Sequence, residues 1–274
     1  MECEVRDIRI YYEEAGKGKP LLMLHGGGLD HRHMLYDMEP IFTNRTSWRR
    51  IYPDLPGMGK TPAADWITDQ GHMLELVLEF IDTVAPAERF TVAGMSYGGY
   101  LARGIAYRRM AQMDGLLLAV PVIEPDRTKR NLPKHRVVEE DEEFLKALMP
   151  SEEWLRELIV MQSLGLLKYQ RELIFPAVAQ ADQALLKRLE ENNAFTFNVD
   201  TLPEPFPAPT LFVTGRFDPW CGYEDAYRIL KHYPRATFAV LDCAGHALSY
   251  ERNLLFTTLV SEWLDRVEAY SDRG

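Results

Sequence analysis

Apolar and polar positions alternate over residues 3–14, and the alternation stops at Ala15-Gly16-Lys17-Gly18, predicting an early hairpin of strands. Pro20-Leu21-Leu22-Met23-Leu24 is different: a short unbroken apolar run, halted by His25-Gly26-Gly27-Gly28. Such a run, bounded by glycine, reads as a strand covered on both faces. Residues 31–42 have helical spacing, and Ile51-Tyr52 leads a further strand into Asp54-Leu55-Pro56-Gly57-Met58-Gly59. Over 69–84, Met73, Leu76, Val77, Phe80, Ile81 and Val84 form one stripe, the clearest amphipathic helix of the first half. A strand at Phe90-Thr91-Val92-Ala93, a helix over about 98–110 and a strand at 116–120 follow.

The alternation of strand and helix then stops. Residues 126–200 are helix-rich, with helical periodicity at Leu155, Leu158 and Ile159 and again at Leu185, Leu186 and Leu189. Prolines at 203, 205, 207 and 209 predict a stiff extended connector. Beyond it the alternation resumes: strand 210–214, helix 223–232, strand 237–241 and helix 251–268. This order predicts an α/β fold, a mainly parallel sheet with helices on both faces. Residues 1–125 and 201–274 form its core, and 126–200 a helical lobe inserted after the sixth strand.

Composition changes this picture little. The chain has 274 residues, 46% of them hydrophobic, enough for one large core plus a lobe. Its net charge of −10 does change the list of partners, because an acidic surface repels phosphates. Nucleic acid is therefore an unfavourable partner, and a small molecule the expected one. No apolar run of membrane-spanning length occurs, and the acidic start Met1-Glu2-Cys3-Glu4 lacks a secretory h-region. A cytoplasmic protein is expected. Three scattered cysteines, Cys3, Cys221 and Cys243, make no disulfide framework. No CxxC or HExxH spacing suggests a metal, and no cofactor is implied. The composition does not address the oligomeric state.

The chemistry concentrates in loops that follow strands. Gly94-x-Ser96-x-Gly98 lies between a strand and a helix. A nucleophile there sits on a turn so sharp that bulky neighbours two positions away would clash, and the flanking glycines remove the clash. A serine hydroxyl needs a base in contact. His246, between the last strand and last helix, lies on the same edge of the sheet, whereas His31, His33, His72, His135 and His232 fall on helices or the lobe. A carboxylate must hold the tautomer of that base, and Asp218, after the penultimate strand, gives the chain order Ser, Asp, His. Glu124, after the sixth strand, is the substitute. The oxyanion of an acyl-transfer intermediate needs fixed amides, expected from Tyr97 and from Gly27, with Gly28 second.

Residues 20–125 and 208–268 resemble the α/β-hydrolase fold superfamily, in its common single-chain branch. The motifs that carry the resemblance are His25-Gly26-Gly27-Gly28, Asp54-Leu55-Pro56-Gly57-Met58-Gly59, Gly94-Met95-Ser96-Tyr97-Gly98-Gly99, Gly215-Arg216-Phe217-Asp218 and Gly245-His246. The resemblance implies an eight-stranded sheet with its second strand antiparallel, and a cap formed by 126–200 over the active site. Proline iminopeptidases and the carbon–carbon bond hydrolases of aromatic degradation are similar, but their glycine turn carries a proline; here Gly28 and Leu29 stand in its place. The hormone-sensitive-lipase-like esterases have the triple glycine but lack the Asp-Leu-Pro-Gly-Met-Gly turn. Relatives that use an aspartate nucleophile, the epoxide hydrolases and haloalkane dehalogenases, are set aside by Ser96.

A serine hydrolase of small esters, thioesters or lactones is the leading expectation. An aminopeptidase, a carbon–carbon bond hydrolase and an acyltransferase are the enzymatic alternatives; a non-catalytic receptor would be expected to have lost part of the triad. Within the lobe, Trp154, Met161, Tyr169 and Phe175 are the candidate lining of an apolar pocket, though packing of the lobe onto the core is the favoured explanation. The run Glu139-Glu140-Asp141-Glu142-Glu143 reads as a solvated loop or helix start, the alternative being attraction of a cationic substrate. Cys221 and Cys243 lie close in sequence to Asp218 and His246, and ordinary packing is the expected role of both.

Overall fold

The computed structural model describes residues 1–272. Eight strands form one sheet in the order β1-β2-β4-β3-β5-β6-β7-β8. They are β1 (Glu2–Val5), β2 (Ile8–Gly16), β3 (Lys19–Leu24), β4 (Trp48–Pro53), β5 (Phe90–Met95), β6 (Met113–Ala119), β7 (Thr210–Gly215) and β8 (Ala236–Leu241). β2 runs antiparallel to β1 and β4, and every other pairing is parallel. The helices are α1 (His31–Met38), α2 (Gln70–Val84), α3 (Tyr97–Arg109), α4 (Glu142–Ala147), α5 (Leu155–Leu158), α6 (Leu164–Tyr169), α7 (Phe175–Gln180), α8 (Gln183–Glu191), α9 (Glu224–Ile229), α10 (Leu248–Glu251) and α11 (Asn253–Ser271). Among the described residues, no helix is long and apolar enough to cross a membrane.

The two-residue period of the strands sorts their apolar side chains onto two faces. Leu21 and Met23 of β3 join Met34 and Met38 of α1 and Phe256, Val260 and Trp263 of α11 in one cluster. Leu22 and Leu24 join the α2 stripe of Met73, Leu76, Val77 and Phe80, together with Leu101 and Ile105 of α3, in the other. Both faces are thereby covered, which is why the central strands lack polar alternation.

Two expected helices are subdivided. The predicted 31–42 helix ends as α at Met38 and closes with a 3-10 turn, Glu39–Phe42, because Pro40 has no amide to continue the ladder. The final helix is broken at Arg252, whose φ of −128° and ψ of 44° leave the helical region. α10 is thus a separate short turn directly after the His246 loop.

All described elements between β6 and β7 are helical or irregular, apart from one parallel bridge between Glu139 and Met161. They pack in two ways. Phe144, Leu155, Ile159, Leu166, Leu167 and Tyr169 build a cluster of their own. Leu185, Leu189, Phe195 and Val199 instead merge with the α2–α3 core. A π-helical stretch, Gln170–Ile174, separates α6 from α7; Phe175 donates to Gln170 with i→i−5 spacing, and Pro176 follows without an amide to restore the regular ladder.

Candidate active site

β5 delivers Ser96 at the edge of the sheet with φ 52° and ψ −114°, a strained conformation for a residue with a side chain. The turn is possible because its neighbours have none. A Cβ on Gly94 would lie 2.3 Å from the Gly98 carbonyl oxygen, and one on Gly98 would lie 2.2 Å from that of Leu24. Ser96 is held from both sides, its amide donating to Ala119 O at 3.0 Å and its carbonyl accepting from Val122 N at 3.0 Å.

The loops after β7 and β8 bring a carboxylate and an imidazole to that serine. Oγ of Ser96 is 3.0 Å from Nε2 of His246, and Nδ1 of His246 is 2.9 Å from Oδ2 of Asp218. In the neutral tautomer this geometry requires, Nδ1–H donates to Asp218 and Nε2 accepts the serine hydroxyl. Asp218 is fully buried, and its other oxygen accepts the amides of Trp220 at 2.8 Å and Cys221 at 3.1 Å, so its orientation is fixed. Burial opposes charge on His246. The adjacent Asp218 carboxylate, with Cys221 adding a smaller contribution, outweighs that penalty and raises the imidazole above its ordinary value. The two loops interlock: Phe217 N donates to Ala244 O at 2.9 Å, and a Cβ on Gly215 would lie 2.3 Å from the Gly245 oxygen.

The glycine turn abuts the nucleophile. The Cβ position of Gly26 is 3.7 Å from Ser96 Cβ, and that of Gly27 is 3.3 Å from Tyr97 Cβ. Gly28 has φ 71°, and its Cβ position lies 3.5 Å from Leu186 of α8. His25 locks this turn to the next one. Its Nε2 accepts Leu55 N at 3.0 Å, which places the proton on Nδ1, where it donates to Gly26 O at 2.8 Å. Asp54 fixes the second turn by accepting the His31 amide and ring at 2.7 and 2.8 Å and Lys60 N at 2.8 Å. The Tyr97 hydroxyl donates to Gln70 Oε1 at 2.7 Å, while Gln70 donates to Leu189 O of α8.

The remaining sequence candidates are dispersed. Glu124 accepts the Asp126 amide within its own turn, 3.0 Å away. Trp154 is 48% exposed and tilts against Phe175, their ring centroids 6.1 Å apart; Phe175 packs on the lobe's own cluster. Tyr169 is buried between Tyr36 and Tyr250. Met161 pairs with Glu139 and donates its amide to Glu251. Asp141 caps α4, accepting from Glu143 N and Phe144 N, so the acidic run starts a helix. Cys221 places its thiol beside His246 and Asp218, with one ligating atom of each within 4.8 Å of the others; Asp30, His31 and Asp54 form a second such group. In both groups the carboxylates already accept the hydrogen bonds described above, or those of the Arg32 side chain for Asp30.

Three groups near the site carry no sequence motif. His33 lies beside the Gly26 turn, its Cε1 3.8 Å from the Gly26 Cβ position, and burial lowers its imidazole to about 3. Asp37 is buried 3.5 Å from His33 Nε2 and accepts the Ser249 hydroxyl at 2.8 Å; burial raises its carboxyl to about 7. Glu251 accepts Gly245 N at 2.6 Å, Val160 N at 3.0 Å and Met161 N at 3.3 Å. The only sequence signal for any of them is an acidic or imidazole side chain within an apolar stretch.

The model of the alpha/beta hydrolase family matches residues 21–256, most of the chain. The chain belongs to the alpha/beta hydrolase family. This α/β hydrolase is 25% identical over 260 residues to a pimeloyl-[acyl-carrier protein] methyl ester esterase of Legionella pneumophila, covering 94% of the chain and 100% of that protein. It is 23% identical over 264 residues to a 2-hydroxy-6-oxo-6-(2'-aminophenyl)hexa-2,4-dienoic acid hydrolase of Metapseudomonas resinovorans, covering 94% and 88% respectively. The crystal structure of an alpha/beta superfamily hydrolase from Oenococcus oeni superposes with a TM-score of 0.87 at 28% identity, covering 98% of this chain and 99% of that one. The expected eight-stranded sheet and hydrolase class both follow from these findings.

Proposed function

We propose that this α/β hydrolase cleaves a small carboxylic ester through an acyl-enzyme on Ser96, with His246 as base, Asp218 as its orienting carboxylate, and the amides of Tyr97 and Gly27 receiving the oxyanion, Gly28 second. The observation that carries the reading is the continuous hydrogen-bonded line from Ser96 Oγ through both ring nitrogens of His246 to Asp218. In the first half-reaction Ser96 Oγ bonds to the ester carbonyl carbon while its proton passes to His246 Nε2. Collapse of the tetrahedral intermediate breaks the bond to the alkoxy oxygen, and the alcohol leaves with that proton. Water then attacks the acyl carbon, giving its proton to His246, which returns it to Ser96 as the carboxylic acid departs. Asp218 keeps its charge throughout and stabilises the imidazolium.

The segment 126–200 serves as the cap over this centre. Leu186 near Gly28, and the link from Tyr97 through Gln70 to Leu189, support that role by setting α8 against the glycine turn and the nucleophile's neighbour. Tyr169 and Met161 are the candidate pocket residues with ties toward the site, Tyr169 through its hydrogen bond to Asp37 and Met161 through Glu251; Trp154 and Phe175 pack against each other, Phe175 on the lobe's own cluster. An ester is favoured over a thioester or lactone by the esterase among the relatives.

The test is a fluorophosphonate probe followed by a substrate panel of esters, thioesters, lactones, aminoacyl anilides and a vinylogous diketone. Wild-type protein labelled at Ser96, Ser96→Ala unlabelled, and turnover highest on esters are the expected results. Highest turnover on the diketone or the anilides, or on an added alcohol acceptor in place of water, assigns one of the other chemistries.

A further inference from the structure

Two elements of different origin end on one half-buried carboxylate. Gly245, the residue before the base, donates its amide to one oxygen of Glu251, and Val160 and Met161 of the inserted segment donate theirs to the other. The contact is close on every side: a Cβ on Gly245 would lie 2.9 Å from Val160 Cγ2 and 3.7 Å from the Glu251 carboxylate. The 160–161 strip is itself tied back to the start of the lobe helices, since Val138 and Glu139 donate to Val160 O at 2.9 and 3.2 Å and Gln162 N donates to Glu139 O at 3.0 Å. Glu251 occupies the short helix α10, which the break at Arg252 separates from α11.

We infer that Glu251 is a positioning residue which sets the place of His246 and makes it depend on the seating of the 160–161 strip. The inference rests on the acyl-transfer reading of the site. A carboxylate is suited to the task because it has acceptors only, and here three donors converge on it. Without it, the amides of the buried Gly245 and Val160 would lose the acceptor that satisfies them. Burial raises the Glu251 carboxyl above its ordinary value, while its bonds to the three amides oppose that shift. The line from strip to base runs Val160/Met161 N–H, Glu251, Gly245 N–H, His246, and a small displacement at its start is delivered to the ring that must meet Ser96.

Glu251→Gln keeps the shape but turns an N–H donor toward one of the amides. The folded variant, checked by circular dichroism, is expected to react with a fluorophosphonate about 10²-fold more slowly than wild type, the cost typical of a catalytic group displaced by roughly 1 Å. Labelling should still reach completion at Ser96, and kcat for a p-nitrophenyl ester should fall with KM changed less than about threefold. A merely structural carboxylate would lower the melting temperature and leave the labelling rate at 20 °C, kept well below the transition, at the wild-type value; that result overturns the inference. If the variant fails to fold, amide hydrogen exchange of wild type decides. Gly245, Val160 and Met161 should share one opening free energy, and a Gly245 amide that opens independently of the other two overturns the coupling. Failure of the underlying reading is seen separately, as persistent labelling of Ser96→Ala, and leaves the exchange result unaffected.

Discussion

Asp218 and His246 meet at 2.9 Å between a fully buried carboxylate and an imidazole that is largely enclosed, and the second oxygen of Asp218 is tied to two amides. The carboxylate cannot turn away, so its charge acts on the ring at fixed distance. The imidazole is thereby held protonated to higher pH than an ordinary histidine. Only the neutral ring can accept the Ser96 proton. kcat/KM should therefore rise with pH through an apparent pKa above 6.5 and fall away as pH drops through it. Asp218→Asn removes the charge, so the inflection should move to lower pH, and kcat should drop by about 10³–10⁴-fold as the tautomer is lost. A pH–rate profile of the two proteins on one ester measures both effects; an unmoved inflection would remove Asp218 from the role.

Burial acts oppositely on Asp37 and His33, and both groups favour their neutral forms. Asp37 has a carboxyl raised from 3.8 to about 7, so its stabilising protonated state is complete below the unfolded value and lost as pH rises through the folded one. His33 is lowered from 6.5 to about 3, so its contribution is present above the unfolded value and lost as pH falls. Between about pH 4 and 6.5 the two slopes oppose each other, and wild-type stability should be insensitive to this pair. Asp37→Asn keeps one acceptor oxygen for Ser249 and deletes one slope. The stability of the variant relative to wild type, from urea melts across pH, should increase from pH 4 to 7 by up to roughly 4 kcal/mol and then level off. A pH-independent difference would show that Asp37 is ionised in the folded protein.

The nucleophile's strain is confined by a wall of backbone. Gly98→Ala would set a methyl group 2.2 Å from Leu24 O and 2.6 Å from His25 O, and β3 cannot retreat without pulling the glycine turn with it. The expected cost is about 3 kcal/mol or more. In any folded fraction the displaced turn should slow ester hydrolysis by about 10²-fold. Thermal melts and turnover per labelled site measure the two separately. A variant with wild-type Tm and rate would mean that the loop is softer than its contacts indicate.

The same elbow shows what a sequence can and cannot disclose. Gly94, Ser96 and Gly98 are legible because the turn tolerates few residue types, and spacing alone carries that restriction. The sheet was legible because buried parallel strands leave unbroken apolar runs such as Leu21 to Leu24. His33, Asp37 and Glu251 were not, because their importance arises from hydrogen-bond partners outside any motif, such as Gly26, Ser249 and, for Glu251, Gly245 and Val160. The break at Arg252 was equally hidden, since the apolar period runs on through α11 while the backbone departs from it. The lobe read as one insertion, yet Leu185 and Leu189 belong to the main core, a distinction that depends on which face they meet and not on their spacing.

Arg103 is a fully enclosed arginine on α3, the helix that follows Ser96. Its guanidinium donates to Ile123 O at 3.0 Å and to the Asp200 carboxylate, where the inserted segment returns to the core. Asp200 is itself about one-quarter exposed and also meets Arg228, an outer arginine, at 2.9 Å. Removing Asp200 leaves an enclosed cation with carbonyls but no counter-charge, whereas removing Arg228 deletes a partner that water can replace. Asp200→Ala should therefore cost about 3 kcal/mol, the lower end for a broken buried pair because of that partial exposure, and depress Tm by roughly 6–12 °C. Arg228→Ala should cost less than about 1 kcal/mol. Asp200→Asn, which keeps an acceptor without charge, should fall between them. Equal Tm values for the Asp200→Ala and Arg228→Ala proteins would place the stabilisation on the carbonyl contacts of Arg103 instead of on its ion pair.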